Sequence, residues 1–171
     1  MQAHNQATFV SERLRYAHPQ DIVVEMAQMK MTRSPNRLVT YGIGSCIIIT
    51  LYDPTKKMGM LSHTMFPNHT GKGPNTNPFR SVDSAVVEMI KRIKASGSRI
   101  ENLEAKIVGG ADMFPNIGNG GMPVGEENVL ASKEALLEGG VGLIGEVVGG
   151  NVGRSVVFDT ASGIVTVMVK I

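Results

Sequence analysis

The residues of this chain that could do chemistry centre on one cysteine. Cys46 is the only cysteine among the 171 residues, and it ends the glycine turn Thr40-Tyr-Gly-Ile-Gly-Ser-Cys46. A histidine, His63, lies further along the chain, across a predicted hairpin turn. A thiol beside an imidazole is the minimal set for a cysteine nucleophile, because the imidazole can take the thiol proton. The pair therefore predicts acyl-transfer chemistry at Cys46.

The two residues are predicted to meet on one β-hairpin. Residues 46–52 are rich in β-branched side chains, residues 58–66 form a return strand, and Asp53-Pro-Thr-Lys-Lys57 is the turn between them. A two-residue loop at Pro54 and Thr55 places Cys46 directly opposite His63, with Cβ atoms about 4.5–5.5 Å apart. A four-residue loop shifts the register by two residues and makes them diagonal neighbours. Either loop keeps the two side chains within reach of each other.

Each of these residues also has a purely structural interpretation. An unpaired cysteine beside three isoleucines is usually a small core residue, and a strand histidine is often a hydrogen-bonded core residue. Gly42 and Gly44 favour the functional interpretation, because they leave the approach to Cys46 free of bulky side chains. A metal site at His63 and His69 is disfavoured, since the chain has no second cysteine and no His-Glu-x-x-His motif.

Composition narrows the class of protein further. Hydrophobic residues make up 42% of the chain and charged residues 19%, which is typical of a globular protein, and the formal net charge is only +2. We therefore expect no nucleic-acid partner. No apolar run is long enough to be inserted in a membrane, and the N-terminus lacks a signal-peptide core. One unpaired cysteine fits a reducing compartment, so the predicted location is the cytoplasm.

The order of predicted elements indicates an α+β fold. We expect a single-domain layered α/β sandwich with largely antiparallel sheets and two main helices, spanning residues 21–171 after an N-terminal arm at residues 1–20. The first helix is predicted at 79–96, where apolar residues recur at helical spacing. The second is predicted at 124–138, where a glycine pair follows. Further strands are predicted at 22–32, 38–40, 103–108, 141–148, 154–159 and 163–170, and long loops at 67–78 and 109–123.

Five ordered segments resemble the chemoreceptor glutamine deamidases of the CheD family. They are Gly42-Ile-Gly-Ser-Cys46, Tyr52-Asp-Pro54, His63-Thr-Met-Phe-Pro67, Ala105-Lys-Ile-Val-Gly-Gly-Ala-Asp-Met-Phe114 and Gly149-Gly-Asn-Val-Gly-Arg154. The likeness covers roughly residues 20–171. It implies a fold shared with the deamidase domain of cytotoxic necrotizing factor toxins. It also implies a catalytic triad that falls on Cys46, His63 and Thr40, with no cofactor.

The resemblance also implies a substrate and partners. The substrate would be glutamines on the cytoplasmic helices of methyl-accepting chemotaxis receptors, which become glutamates, and the CheC phosphatase would bind and inhibit the enzyme. A methylesterase side activity would use the same acyl chemistry. The chain departs from the family pattern at Val124-Gly-Glu-Glu-Asn128, where Ile-Gly-x-Arg-Asn is frequent, and at Val147, where an Asp is expected. These departures concern recognition or loop anchoring rather than the triad.

The residue types then predict a mechanism. His63 either accepts the thiol proton as a general base or holds it in a thiolate–imidazolium pair. Thr40 is either an ordinary strand threonine or, in the triad that the resemblance implies, the residue that fixes the imidazole tautomer through its hydroxyl or carbonyl. Backbone N–H groups of the turn around Gly44 and Ser45 are the expected oxyanion donors. Phe114, in the loop at 109–123, is either an apolar contact for a helical substrate or a core residue that pins that loop.

Two functions of other classes remain open at the level of sequence. One is a non-catalytic adaptor that binds receptors and CheC, which would need no reactive thiol. The other is a cysteine peptidase or small-molecule amidase, which would act on short amides rather than on a folded helix.

Overall fold

The computed structural model describes residues 18–69, 77–114 and 120–169. Within these ranges the chain forms nine strands and two α-helices. The strands are β1 (Asp21–Val23), β2 (Met29–Arg33), β3 (Arg37–Ile43), β4 (Ile47–Asp53), β5 (Met58–Thr64), β6 (Glu104–Gly109), β7 (Gly142–Val148), β8 (Arg154–Asp159) and β9 (Val165–Val169). The helices are α1 (Val82–Ala95) and α2 (Val124–Glu138), and single 3₁₀ turns lie at Pro78–Arg80 and Ile100–Asn102.

The strands form two sheets, which confirms the predicted α+β class. A five-stranded sheet has the order β2-β5-β4-β6-β7, and a four-stranded sheet has the order β1-β3-β8-β9. Neighbouring strands are antiparallel except for the pairs β1–β3 and β6–β7, which are parallel. The predicted largely antiparallel arrangement is therefore correct.

The five-stranded sheet is the middle layer of the fold. Successive side chains of a strand point to opposite faces, and both faces of β4 are buried. Ile47, Ile49 and Leu51 pack in one cluster with the buried faces of α1 and α2. Ile48 and Tyr52 pack in a second cluster with residues of the four-stranded sheet. Helices, five-stranded sheet and four-stranded sheet therefore lie in that order, with one core on each side of β4.

The chain crosses from one sheet to the other just before Cys46. β3 runs antiparallel to β8, and its register shifts between Thr40 and Ile43. Gly42 lies in this irregular stretch with φ +69°, a conformation that favours glycine. After Ile43 the chain leaves the four-stranded sheet and enters β4 of the other sheet at Ile47. Cys46 is thus located where the two sheets are connected.

The β4–β5 hairpin has the longer of the two predicted loops. Asp53 pairs with Met58, so four residues form the loop, and the two-residue loop with Cys46 directly opposite His63 is wrong. The Asp53 carboxylate accepts hydrogen bonds from the backbone N–H groups of Thr55 and Lys56, which stabilises the wider turn. Ile48 is the residue opposite His63.

Two other predicted boundaries are corrected. The single strand predicted at 22–32 is instead β1 and β2, in different sheets, because the chain turns between them at Ala27, which has φ +58°. The helix predicted from residue 79 begins at Val82, since Ser81 is extended and pairs with Phe66 in an isolated bridge.

Some predicted segments fall on residues that the structure does not describe. These are most of the arm at 1–20, the centre of the loop at 67–78 and part of the loop at 109–123. Among the described residues, neither helix has the length and apolar character needed to cross a membrane.

Candidate active site

A buried hydrogen bond between Thr40 and His63 joins the two sheets. His63 lies on β5 and is 2% exposed, and Thr40 lies on β3 and is equally buried. The Thr40 Oγ1 atom is 2.9 Å from His63 Nδ1. Leu61, two residues before His63 on the same face of β5, packs in the core between the sheets. The imidazole ring is therefore held in that inter-sheet layer by a partner from the opposite sheet.

The other ring nitrogen of His63 is left available. Nε2 is buried and has no hydrogen-bond partner among the described residues. Burial disfavours the charged imidazolium and lowers the pKa of His63 to about 4. The ring is consequently neutral at neutral pH. In the tautomer in which Nδ1–H donates to Thr40 Oγ1, the lone pair lies on Nε2, which is the arrangement that a general base requires.

Cys46 lies on the same face of the hairpin as His63. It is half-buried and packs against the core between the sheets. Ile47 pairs with Thr64, so extending the register by one residue makes Cys46 a diagonal neighbour of His63. Such neighbours lie roughly 7–8 Å apart, with their Cβ atoms somewhat closer, which is within reach of an aromatic side chain such as the imidazole. The predicted proximity therefore holds in its diagonal form, without a hydrogen bond to Nε2 among the described residues.

The thiol and the imidazole are both neutral in this resting arrangement. Burial raises the pKa of Cys46 above its ordinary value, and the residue's own backbone N–H opposes this with a smaller lowering effect. Since burial also lowers the pKa of His63, a thiolate–imidazolium pair is disfavoured. Of the two proton arrangements left open by the sequence, the neutral general-base form fits the structure.

Three successive carbonyl groups of the turn before β4 accept hydrogen bonds from residues outside the turn. The Gly44 carbonyl accepts from the Ala111 N–H at 2.9 Å, and the Cys46 carbonyl accepts from the Gly110 N–H at 2.8 Å. Between them, the Ser45 carbonyl accepts from Asn128 Nδ2 at 2.9 Å. The peptide planes around the cysteine are therefore fixed from outside the turn.

Glycines allow the close approaches that these bonds need. A Cβ atom at Gly109, which has φ +124°, would overlap the Cys46 carbonyl oxygen. A Cβ atom at Gly110 would lie 2.6 Å from the Gly125 carbonyl oxygen, and one at Gly125 would lie 2.7 Å from the Ala111 carbonyl oxygen. The loop after β6 and the first turn of α2 thus meet backbone to backbone beside the cysteine turn.

Apolar side chains near the turn remain exposed. Phe114 is 68% exposed, so the alternative in which it is a core residue is wrong. Its neighbour Met113 is also exposed, and its Cγ atom would be 2.9 Å from a Cβ atom at Gly44. Phe66, just beyond β5, is exposed and lies 6.0 Å from the Arg80 guanidinium carbon, measured to its ring centroid. Met113 lies beside the cysteine turn, Phe114 follows it in the chain and Phe66 follows β5; we name these three exposed residues the apolar rim.

Comparison with known proteins points to one family. A family profile described as "CheD chemotactic sensory transduction" matches residues 60–169. A protein of Clostridium acetobutylicum is 40% identical over 148 residues, covering 86% of this chain and 89% of that protein. A protein of Desulforamulus reducens is 41% identical over the same length and with the same coverage of both chains. Both are named "Probable chemoreceptor glutamine deamidase CheD". This chain belongs to the CheD family.

The residues predicted from the CheD resemblance lie close together in the structure. Thr40 and His63 are hydrogen-bonded across the sheets, and Cys46 occupies the same inter-sheet layer. Gly44 and Ser45 lie in the turn that leads to the cysteine, and their carbonyl groups accept from Ala111 and Asn128. That this turn supplies the oxyanion donors stays a prediction.

Two buried polar residues of this CheD-family site were not predicted. Asn128 on α2 bridges the carbonyl groups of Ser45 and Met65. Arg154 at the start of β8 donates to the Gly149 carbonyl at 2.6 Å and fixes the loop after β7. Both residues end segments that were compared with the CheD pattern, Asn128 at 124–128 and Arg154 at 149–154. The sequence of these segments does not reveal which carbonyl groups the two side chains reach.

The buried neutral state of His63 predicts a specific pH dependence of stability. The unfolded chain takes up a proton on this histidine below about pH 6.5, whereas the folded chain does so only near pH 4. Folding stability should therefore fall as the pH drops between these values, by about 2 kcal/mol from pH 7 to pH 5. Urea unfolding at several pH values measures this loss.

The control is a comparison of His63→Gln with His69→Gln, which removes an exposed histidine. His63→Gln should lose most of the decline between pH 7 and pH 5, and His69→Gln should keep it. If both variants retain the wild-type slope, His63 is not the buried neutral group described above.

Proposed function

We propose that this chain is a protein-glutamine deamidase that converts glutamines of chemotaxis receptors to glutamate, with Cys46 as the nucleophile. The observation that carries the proposal is the Thr40–His63 hydrogen bond, which leaves Nε2 unpartnered on the face that also carries Cys46. The relatives named as chemoreceptor glutamine deamidases extend over most of this chain. The relatives support the reaction, and the geometry supports Cys46, His63 and Thr40 as the residues that carry it.

The first step transfers a proton from the thiol to the imidazole. Sγ of Cys46 attacks the side-chain carboxamide carbon of the glutamine while Nε2 of His63 takes the thiol proton. The two groups start neutral because burial raises the pKa of Cys46 and lowers that of His63. Proton transfer thus accompanies attack rather than preceding it. Thr40, by accepting from Nδ1–H, keeps the lone pair on Nε2 and helps to support the imidazolium that forms.

The remaining steps return the site to its starting state. The electron pair of the carboxamide carbonyl moves to its oxygen, and backbone N–H groups of the Gly44–Cys46 turn stabilise the resulting oxyanion. His63 then gives its proton to the departing nitrogen, so ammonia leaves and a thioester remains on Cys46. Water attacks the thioester, with Nε2 accepting its proton, and the glutamate product and free thiol result.

The surface around the turn suits a helical substrate. Met113 and Phe114 follow β6 and are exposed, and Phe66 is exposed where the chain leaves β5. We expect this rim to contact the apolar positions of a receptor helix, since aromatic residues commonly anchor such interfaces. The receptor helices are cytoplasmic, which agrees with the cytoplasmic location predicted from the sequence. CheC is a second expected partner at the same face.

One observation favours the adaptor alternative. A raised pKa makes Cys46 less reactive than the thiolate of a typical cysteine hydrolase. A protein that only binds receptors and CheC would need no reactivity at this position. Experiments on Cys46 distinguish the two functions.

Cys46→Ala should abolish conversion of receptor glutamines while leaving the melting temperature near that of wild type. The variant lacks the nucleophile, but the half-buried site still holds a small apolar side chain, so packing changes little. Intact mass analysis of a receptor cytoplasmic fragment, incubated with each protein, detects every amide that becomes an acid.

Conversion by the Cys46→Ala protein would show that another group is the nucleophile. If wild type binds the receptor fragment without changing its mass, the adaptor function is correct and the enzymatic one is wrong.

Phe114→Ala should weaken receptor recognition with little effect on stability. Because the side chain is 68% exposed, its truncation should change the free energy of unfolding by about 0.5 kcal/mol or less. Loss of an interface anchor should raise the KM for the receptor fragment about tenfold and leave kcat unchanged.

The matched control is Leu137→Ala, which truncates another exposed apolar residue, 80% exposed, at the far end of α2. It should leave KM at the wild-type value. Equal KM values for the two variants would remove Phe114 from the recognition surface.

A further inference from the structure

Asn128 connects the chain segments that carry the two central residues of the site. It lies on α2 with no exposed surface. Its Nδ2 group donates to the Ser45 carbonyl at 2.9 Å and to the Met65 carbonyl at 3.0 Å. Ser45 directly precedes Cys46, and Met65 follows the end of β5, which carries His63. One buried amide therefore holds both segments against the same helix.

The bond to Ser45 determines the orientation of one particular backbone N–H. In a trans peptide the carbonyl of one residue and the N–H of the next point in opposite directions. Because Asn128 holds the Ser45 carbonyl toward α2, the Cys46 N–H points away from α2. This N–H lies beside the residue's own sulfur, where it opposes the raising effect of burial on the Cys46 pKa.

A backbone N–H beside the nucleophilic sulfur is where an oxyanion donor is required. When sulfur bonds to a carboxamide carbon, the carbonyl oxygen becomes an oxyanion within reach of donors adjacent to the nucleophile. The neighbouring peptide planes are fixed as well, since the Gly44 and Cys46 carbonyl groups accept from Ala111 and Gly110. The Ser45–Cys46 plane differs from them in being held by a side chain, so a substitution can release it.

The position of α2 gives Asn128 this reach. Gly110 and Gly125 bring the first turn of the helix into backbone contact with the loop after β6. Asn128 lies three residues beyond Gly125, within the next turn of the helix, and its short side chain extends to the cysteine turn. If α2 and the loop after β6 were further apart, the Asn128 amide would be out of hydrogen-bond distance of the Ser45 carbonyl.

We propose that Asn128 is a positioning residue that aims the Cys46 N–H at the oxyanion of the tetrahedral intermediate. The proposal rests on the proposed function in that Cys46 must form acyl intermediates. Asn128 does not touch the substrate in this proposal. Its amide determines how well the oxyanion is stabilised, through the orientation of the Cys46 N–H.

The test compares two reactions of the same sulfur. Acylation by p-nitrophenyl acetate passes through an oxyanion, whereas alkylation by iodoacetamide displaces iodide at a saturated carbon and forms none. The rate at which each adduct forms on Cys46 is measured from the increase in protein mass. Asn128→Ala should slow acylation about 10- to 100-fold, as expected for a misaligned oxyanion donor, and should change alkylation by less than about twofold.

Ser132→Ala is the matched control. Ser132 is buried on the same helix, one turn further on, and its hydroxyl donates to the Asn128 carbonyl rather than to the cysteine turn. This variant should keep both rates near wild type. If Asn128→Ala does not fold, Asn128→Ser is measured in the same way, and the ratio of the two rates decides.

If the Asn128 variant slows acylation and alkylation equally, the amide only keeps Cys46 accessible. If both rates stay at the wild-type values, the amide has no role in the reaction. Either result overturns the proposal. Because neither probe contains glutamine, a wild-type protein that is acylated but does not deamidate receptors contradicts the proposed function while leaving this test intact.

Discussion

The hydrogen bond between Thr40 and His63 is the constraint on which the site depends. It crosses between the two sheets and involves two side chains that are almost completely buried. A buried polar group is costly without a partner, so each side chain requires the other. The bond satisfies Nδ1 and leaves Nε2 without a partner among the described residues. Within the described part of the chain, one buried nitrogen of His63 therefore stays unpartnered on the face that also carries Cys46, and a proton on Nδ1 would leave its lone pair free to act as a base.

The rest of the fold brings Cys46, the proposed nucleophile, into the same layer as this nitrogen. β3 and β4 belong to different sheets, and the turn between them carries Cys46 into the layer that contains His63. Glycines at 109, 110 and 125 allow the loop after β6 and the start of α2 to approach that turn. Backbone and side-chain donors from these elements then fix its carbonyl groups. Helix, loop and turn therefore act together in placing one thiol and its adjacent N–H.

The sequence predicted the local elements better than their connections. The uniqueness of Cys46, the β-branched run after it and the helical spacing before Gly97 all reflect short-range patterns, and the hairpin and both helices were found. The hairpin loop was left between two lengths, because Asp53 suits both and its bonds to Thr55 and Lys56 depend on the folded turn. The strand predicted at 22–32 failed because alternation in one stretch does not reveal a turn that sends its halves to different sheets. Asn128 was missed as a contact for a similar reason, since its partners lie more than sixty residues away.

The chemistry proposed for this site requires that His63 is neutral in the resting protein, with its proton on Nδ1 and its lone pair on Nε2. Nitrogen NMR of histidine-labelled protein at pH 7 reads this directly, with Thr40→Val as the control that removes the acceptor but keeps the side-chain shape. We predict a neutral His63 with a protonated Nδ1 in wild type, a titration near pH 4, and loss of the tautomer preference in Thr40→Val. A doubly protonated ring at pH 7, or a proton on Nε2, would contradict it.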